Sequence, residues 1–148
     1  MKKTIATLVL SGAAIVTSAA PPGVITVPST YPVSETTTRL TDAAKAKKLM
    51  VFAMIDFARD AANAGLSMND SRLLVVGNPK GGTPVMQAVP LAALDLPLKI
   101  LVWSDADGKV WVSYNAPEYL KDRYGIPDEL AKPLGAVREL VNGALQPK

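Results

Sequence analysis

Two features of this chain could carry chemistry: a glycine-bracketed bend running Gly77, Asn78, Pro79, Lys80, Gly81, Gly82, Thr83, Pro84, and two carboxylates, Asp56 and Asp95, beside apolar runs. Glycines let a backbone approach a guest closely, a helix N-terminus offers free amides, and Lys80 adds a point charge, so the bend has the ingredients of an anion site. Asn78, Lys80, Gly81, Gly82 and Thr83 would hold a phosphate or carboxylate there, with Asp56 and Trp111 assisting. The spacing matches neither a Walker loop nor a dinucleotide fingerprint. The same glycines also build an ordinary strand-to-helix connection. Asp56 or Asp95 could act as a general base if burial raised its pKa. Local structural duties are favoured for both, Asp56 as a helix cap and Asp95 as a turn residue. Asp105 and Asp107 are expected to shape a hairpin, with weak cation binding as the alternative.

Absences narrow the chemistry further. No His and no Cys occur anywhere in the 148 residues. Ser-His-Asp and Cys-His nucleophile systems, imidazole or thiolate zinc sites, c-type haem attachment and disulfide exchange all need residues that are missing. A reaction would have to use Asp, Glu, Lys, Tyr, Ser or a bound cofactor. No catalytic signature, metal site or cofactor motif stands out, so an enzyme is the less favoured reading.

The elements that must position these residues begin after a leader. Lys2 and Lys3, an apolar run from Ile5 to Val16 and the small residues Thr17, Ser18, Ala19 and Ala20 have the three-part layout of a secretory signal peptide. Cleavage is expected after Ala19, giving residues 1–19 as signal peptide and a periplasmic or secreted product. The apolar run is shorter than the roughly 20 residues that span a bilayer, and no stable membrane insertion is expected after cleavage. The formal charge of +3 falls to +1 without Lys2 and Lys3, leaving 14 basic against 13 acidic side chains. Nucleic acid binding, which needs a basic face, is set aside.

Residues 20–30 form an N-terminal segment in which Val24 to Val27 reads as a first strand; residues 31–148 make one domain. Ser34 is expected to cap a helix ending near Lys48. Leu49 to Asp56 reads as a strand, Phe57 to Ala64 as a short helix stopped by Gly65, and Arg72 to Val76 as another strand. Thr83 and Pro84 predict a helix N-cap and first position, continuing to Val89. Lys99 to Ser104 and Lys109 to Tyr114 predict a hairpin around Asp107-Gly108. Counted as an even connection, it puts Leu101, Trp103, Val110, Val112 and Tyr114 on the core side and leaves Trp111 on a mixed face. Leu130, Leu134, Val137, Val141 and Leu145 form a helical stripe that Pro133 should interrupt.

Several blocks occur together: Val51-Phe52-Ala53 with Ile55-Asp56, Asn78-Pro79-Lys80 with Gly82-Thr83-Pro84, Asp95-Leu96-Pro97-Leu98-Lys99, Val102-Trp103, and Val110-Trp111 with Ser113-Tyr114-Asn115. In combination they resemble the "domain of unknown function 302" family over roughly Tyr31 to Ile126. The resemblance implies an α+β fold, a curved antiparallel sheet with helices packed on one face, similar to the TATA-box-binding-protein-like architecture, and a homodimer. It implies no reaction. This chain has Phe57, Ser104 and Tyr124 where many relatives resemble Ile-Asp-His, Trp-Glu-Asp and Arg-His-Gly, which weakens any activity resting on those polar groups.

The leading expectation is an exported binding domain that holds a small anionic ligand or an envelope partner at the Gly77 to Pro84 bend, without cofactor. The alternatives are a histidine-free enzyme using Asp56 or Asp95, with the bend as anion cradle, and a purely structural dimeric interaction module.

Overall fold

Antiparallel ladders join five strands in the order β1-β5-β4-β3-β2, so the chain folds as the expected α+β domain with an open sheet. The computed structural model describes residues 20–147; the leader expected over residues 1–19 lies outside them. The strands are β1 (Val24–Ser29), β2 (Met50–Asp56), β3 (Ser71–Gly77), β4 (Leu98–Ser104) and β5 (Val110–Asn115). The helices are α1 (Val33–Ala46), α2 (Phe57–Asn63), α3 (Pro79–Ala88), α4 (Pro117–Tyr124), α5 (Asp128–Ala131) and α6 (Ala136–Leu145), with single 3-10 turns at Pro90–Leu94 and Lys132–Gly135.

One face of the sheet holds the core. Leu74, Val76, Leu98, Ile100, Val102 and Val112 are buried against Val33, Leu40 and Ala44 of α1 and Val137, Leu140 and Val141 of α6. The buried positions of α1 recur at helical spacing, as one-sided burial requires. Ser34 is not its cap: the helix starts at Val33, and Pro32 stands at the N-cap without a side-chain hydrogen bond. Arg39 fastens α1 to the end of α6, donating from Nε to the Ala144 carbonyl at 2.8 Å and from Nη2 to that of Gln146 at 2.6 Å. A guanidinium there satisfies carbonyls that a helix C-terminus leaves free. Pro133 interrupts the last helical stretch as expected, producing the Lys132–Gly135 turn between α5 and α6. Helix α4, which begins with Pro117 at its first position and ends at Gly125 with φ +60°, was not foreseen.

The hairpin differs in its faces. Ile100 pairs with Tyr114, Val102 with Val112 and Trp103 with Trp111. Partners directly opposite share a side, so Ile100, Val102, Val112 and Tyr114 point to the core while Leu101, Trp103, Trp111 and Ser113 stand on the open face. Trp103 is therefore not a core residue. The reason lies in the connection: Lys109 leaves the ladder, and its amide donates to Asp105 Oδ1 at 2.9 Å, giving a loop of odd length from Asp105 to Lys109.

Candidate functional site

The bend at Gly77 is the start of a helix rather than a loop before one. Asn78 has extended backbone angles, φ −131° and ψ 120°, and its Oδ1 accepts from the Lys80 amide at 2.9 Å, the geometry of an N-cap. Pro79 occupies the first helical position, where its missing N–H costs nothing. Gly81 and Gly82 both donate to the Asn78 carbonyl at 2.9 Å. The amides of Lys80, Gly81 and Gly82 are thus all taken inside the protein, and Pro79 has none. Thr83 and Pro84, read from the sequence as cap and first position, lie within α3. An anion at the start of α3 would find the Lys80, Gly81 and Gly82 amides already bonded, so the backbone cradle expected from the glycines does not form. Lys80 is exposed and makes no ion pair among the described residues.

What the bend does border is a cleft of about 550 Å³. Leu49 and Phe52 line one side, Val85 and Met86 of α3 another, Leu96 to Leu98 the base, and the Lys132 to Leu134 turn the far wall. Asn78, Gly81, Gly82 and Thr83 contribute to the same lining; Lys80 does not. Gly81 is required by close approach: a Cβ on it would sit 2.9 Å from Cβ and 3.2 Å from Cγ of Pro133. A Cβ on Gly82 meets nothing nearer than Met86 Cε at 3.9 Å. The walls are mainly apolar, with Lys132 and Glu139 as the charged groups. Glu139 lies 3.8 Å from Lys47 Nζ, whereas Lys132 is exposed and makes no ion pair among the described residues. A mostly apolar concavity of this size with few polar groups is the ordinary form of a small-molecule site.

The other residues singled out from the sequence are not gathered here. Asp56 caps α2, its Oδ1 accepting from the Arg59 amide at 3.0 Å, while Oδ2 lies 3.3 Å from Arg72 Nε. That Arg72 nitrogen is buried and poorly aligned for a hydrogen bond, so the contact is ionic. Asp56 ends β2 and Met50, beside Gly77, begins it, so Asp56 sits about 20 Å from the bend at the rise of an extended strand. Asp95 follows the Pro90–Leu94 turn, accepts from Tyr124 Oη at 2.6 Å and lies 3.6 Å from Arg123 Nε. That bond to Asp95 is the leading cause of a Tyr124 pKa raised above the ordinary phenol value. Both carboxylates hold the structural positions that favoured caps and turns over catalysis.

Trp111 stands on the open sheet face, half-buried, its ring centroid 6.5 Å from that of Trp103. Its Nε1 donates to Asp105 Oδ2 at 2.8 Å, and this bond, with the Lys109 and Asp107 amides, holds the Asp105 carboxyl below its ordinary pKa. Trp103 Nε1 donates to Ser113 Oγ at 2.9 Å. The two indoles are thus anchored on the face opposite the core and do not meet the cleft.

Sequence reasoning missed Phe52, Met86, Leu96 and Lys132 as lining. Pro133 carried the one signal that could have found the far wall, since a proline-broken helix leaves a turn against which another element can close.

Comparison with known proteins places this architecture. A solved structure from Bacillus stearothermophilus, described as an uncharacterized conserved protein DUF302, superposes with a TM-score of 0.70 at 20% identity, covering 84% of this chain and 97% of that one. At that identity the likeness concerns the fold. The chain is 38% identical over 104 residues to "Fluoride-specific ion channel FluC 1" of Brucella suis biovar 1 (strain 1330), a match spanning 70% of this chain and 41% of that protein. The protein of the same name from Brucella abortus biovar 1 (strain 9-941) matches equally, over 38% of its length. This chain therefore spans about two-fifths of the curated relatives it matches. The model of the family described as "Domain of unknown function DUF302" matches residues 25–146, from β1 through α6, and the chain belongs to that family.

Proposed function

We propose that this chain is an exported binding domain whose guest is an amphipathic small molecule, its apolar body in the cleft beside the Gly77 to Thr83 segment and its acidic group at Lys132. The observation that carries the reading is the cleft itself: about 550 Å³, walled by Leu49, Phe52, Val85, Met86 and Leu96 and bordered by a lysine without a carboxylate partner among the described residues. A bare phosphate gains little from such a place, because the Lys80, Gly81 and Gly82 amides are already bonded. An apolar segment gains about 25 cal/mol for each Å² removed from water. Export rests on the lysine-led apolar leader.

The channel name of the Brucella relatives is not carried over. No helix among the described residues is long and apolar enough to cross a membrane, and the match leaves more than half of those proteins uncovered. We assign this chain's counterpart in them to a binding role beside whatever part conducts.

Thermal unfolding in the presence of phosphate, acetate, octanoate and dodecanoate tests the proposal, since a ligand favouring the native state must raise the midpoint. The expected result is no rise with phosphate or acetate and a rise that grows with chain length. Gly82→Leu, whose side chain has room to enter the cleft, should abolish it, and Lys132→Ala should weaken the response to the acids but not to the corresponding alcohols. A midpoint indifferent to chain length, or a response untouched by Gly82→Leu, overturns the reading.

A further inference from the structure

The far wall of the cleft is one continuous helical path. Ala131 (φ −79°, ψ −21°), Lys132 (φ −51°, ψ −44°), Gly135 (φ −67°, ψ −16°) and Ala136 (φ −57°, ψ −31°) all keep right-handed helical angles, so α5, the Lys132–Gly135 turn and α6 run on without an extended residue. From this path Lys132, Pro133, Ala136 and Glu139 line the cleft, a stripe at i, i+1, i+4 and i+7. Lys132 and Glu139 therefore stand on one side of it, two turns apart, roughly 10–14 Å at the rise of α and 3-10 helix. Lys132 takes the guest's acidic group in the reading above, and Glu139 is the other charged group of the lining. The Glu139 side chain is 75% exposed, and its ion-pair partner among the described residues, Lys47 Nζ, lies 3.8 Å from Oε2, too far for a hydrogen bond. An exposed pair of that length contributes little to stability. It leaves an acceptor on Glu139 and donors on Lys47 with room between them.

We propose that the guest of this cleft is a hydroxy acid, its carboxylate at Lys132 and a hydroxyl on the far part of its chain held between Glu139 and Lys47. The assignment rests on the cleft reading and deepens it with a second polar anchor. A hydroxyl both donates and accepts, so one oxygen can donate its proton to Glu139 Oε2 and accept from Lys47 Nζ. With hydrogen bonds of about 2.8 Å on either side, that oxygen bridges the 3.8 Å gap without moving either group. Other end groups fit worse. An ammonium would meet Lys47 at the end of α1, where Lys45 and Lys48 also stand without ion-pair partners among the described residues. A second carboxylate would meet Glu139 itself. A plain hydrocarbon end would displace water from two charged groups and give no hydrogen bond in return. Both side chains keep contact with water, so the hydroxyl should improve affinity about three- to tenfold, less than a buried hydrogen bond to a charged group would.

Isothermal titration calorimetry with decanoate and with the isomeric ω-hydroxydecanoate and α-hydroxydecanoate tests the assignment. The ω-hydroxy acid is long enough to reach from Lys132 to Glu139 and should bind more tightly than decanoate by that factor, although it is the less apolar of the two. The α-hydroxy acid, with the same atoms and its hydroxyl beside the carboxylate, should gain nothing over decanoate. Glu139→Ala should bring the ratio of the decanoate and ω-hydroxydecanoate Kd values to one or below, and Glu139→Gln, which keeps an acceptor oxygen, should retain part of the preference. Circular dichroism and the unfolding midpoint establish that each variant is folded. Should Glu139→Ala fail to fold, Lys47→Ala decides, because it removes the donor half of the same anchor and should lower the same ratio. Equal Kd values for decanoate and ω-hydroxydecanoate, an equal preference for the α-hydroxy acid, or a preference that survives Glu139→Ala overturns this inference and leaves the cleft reading standing. Binding of none of the three acids overturns both.

Discussion

Adjacent glycines in α3 should respond to the same substitution with opposite signs. Replacing either Gly81 or Gly82 by Ala restricts the unfolded chain and improves helix propensity, a gain of up to about 1 kcal/mol at each. At Gly82 the new methyl meets only Met86 Cε, at 3.9 Å, an ordinary contact. Gly82→Ala should therefore stabilise the protein by about 0.5–1 kcal/mol. At Gly81 the methyl lies 2.9 Å from Pro133 Cβ, closer than real Cβ contacts come. Proline has no rotamer with which to retreat, so either α3 or the Lys132–Gly135 turn must shift. Overpacking of this kind costs about 1–3 kcal/mol, which cancels the gain or exceeds it. The two variants should differ by about 1–3 kcal/mol, or several degrees in unfolding midpoint for a domain of this size. Urea unfolding followed by tryptophan fluorescence and by circular dichroism measures the difference, with an unchanged m value showing that folded-state packing is responsible. If Gly81→Ala proves as stabilising as Gly82→Ala, α3 does not press on Pro133 and the wall of the cleft is not set by that contact.

Three further expectations follow from the same geometry. Pro84 lies inside α3, where it cannot donate to the Lys80 carbonyl, so Pro84→Ala should stabilise by about 1–2 kcal/mol net of the loss of chain restriction; a helix beginning at Thr83 would instead make it neutral or harmful. Asp105, Glu118 and Asp128 have lowered pKa values, caused first by hydrogen bonds from Trp111, Arg138 and Lys121. Their contribution is present above the unfolded carboxylate pKa of about 4 and is lost as pH falls through the lower folded values. With no histidine to titrate, urea midpoints should stay flat from about pH 5.5 to 9 and drop only on the acid side. Tyr124 has a raised pKa, so its contribution is present below the unfolded phenol pKa of about 10 and fades as pH rises through the folded value. Spectroscopic titration should show that Tyr124→Phe removes a tyrosine that ionises above the ordinary phenol range.

Elements were legible where a local signal had no rival. Gly65, with φ +75°, stops α2 as the composition around it required. The stripe through Leu134, Val137 and Val141 is the buried side of the C-terminal region. At the bend, Thr83-Pro84 reads as cap and first position, but the helix starts five residues earlier, at Asn78-Pro79. Asn78 prevails because its carbonyl and side chain together satisfy three amides. Gly81 and Gly82, read as part of a strand-to-helix bend, are helical, and Gly81 is there for Pro133. The hairpin faces failed for another reason. Ile100 and Val102 are as apolar as Leu101 and Trp103, so hydrophobicity does not choose between faces. The choice falls to one residue of loop length, which Asp105 settles by binding the Lys109 amide.

Two of the sequence readings turn on non-local facts that no window of sequence contains. Leu49 to Asp56 reads as a strand from its apolar run, yet the strand order puts it at an edge, where the same apolarity becomes an exposed surface. The bend reads as an anion site because glycine and helix N-termini bind anions, yet the helix begins early enough to use its own amides. In each case the residue types were read correctly and their partners were not. On the proposed reading, recognition by this domain rests on side chains rather than on backbone amides. Phe52, Met86 and Leu96 set the width of the cleft and Lys132 its polarity. A single apolar-to-charged change at Met86 should therefore remove binding of the long-chain acid, whereas Lys80→Ala, outside the lining, should leave it intact. Loss of binding on Lys80→Ala, with Met86→Glu still competent, would return the site to the mouth of the bend.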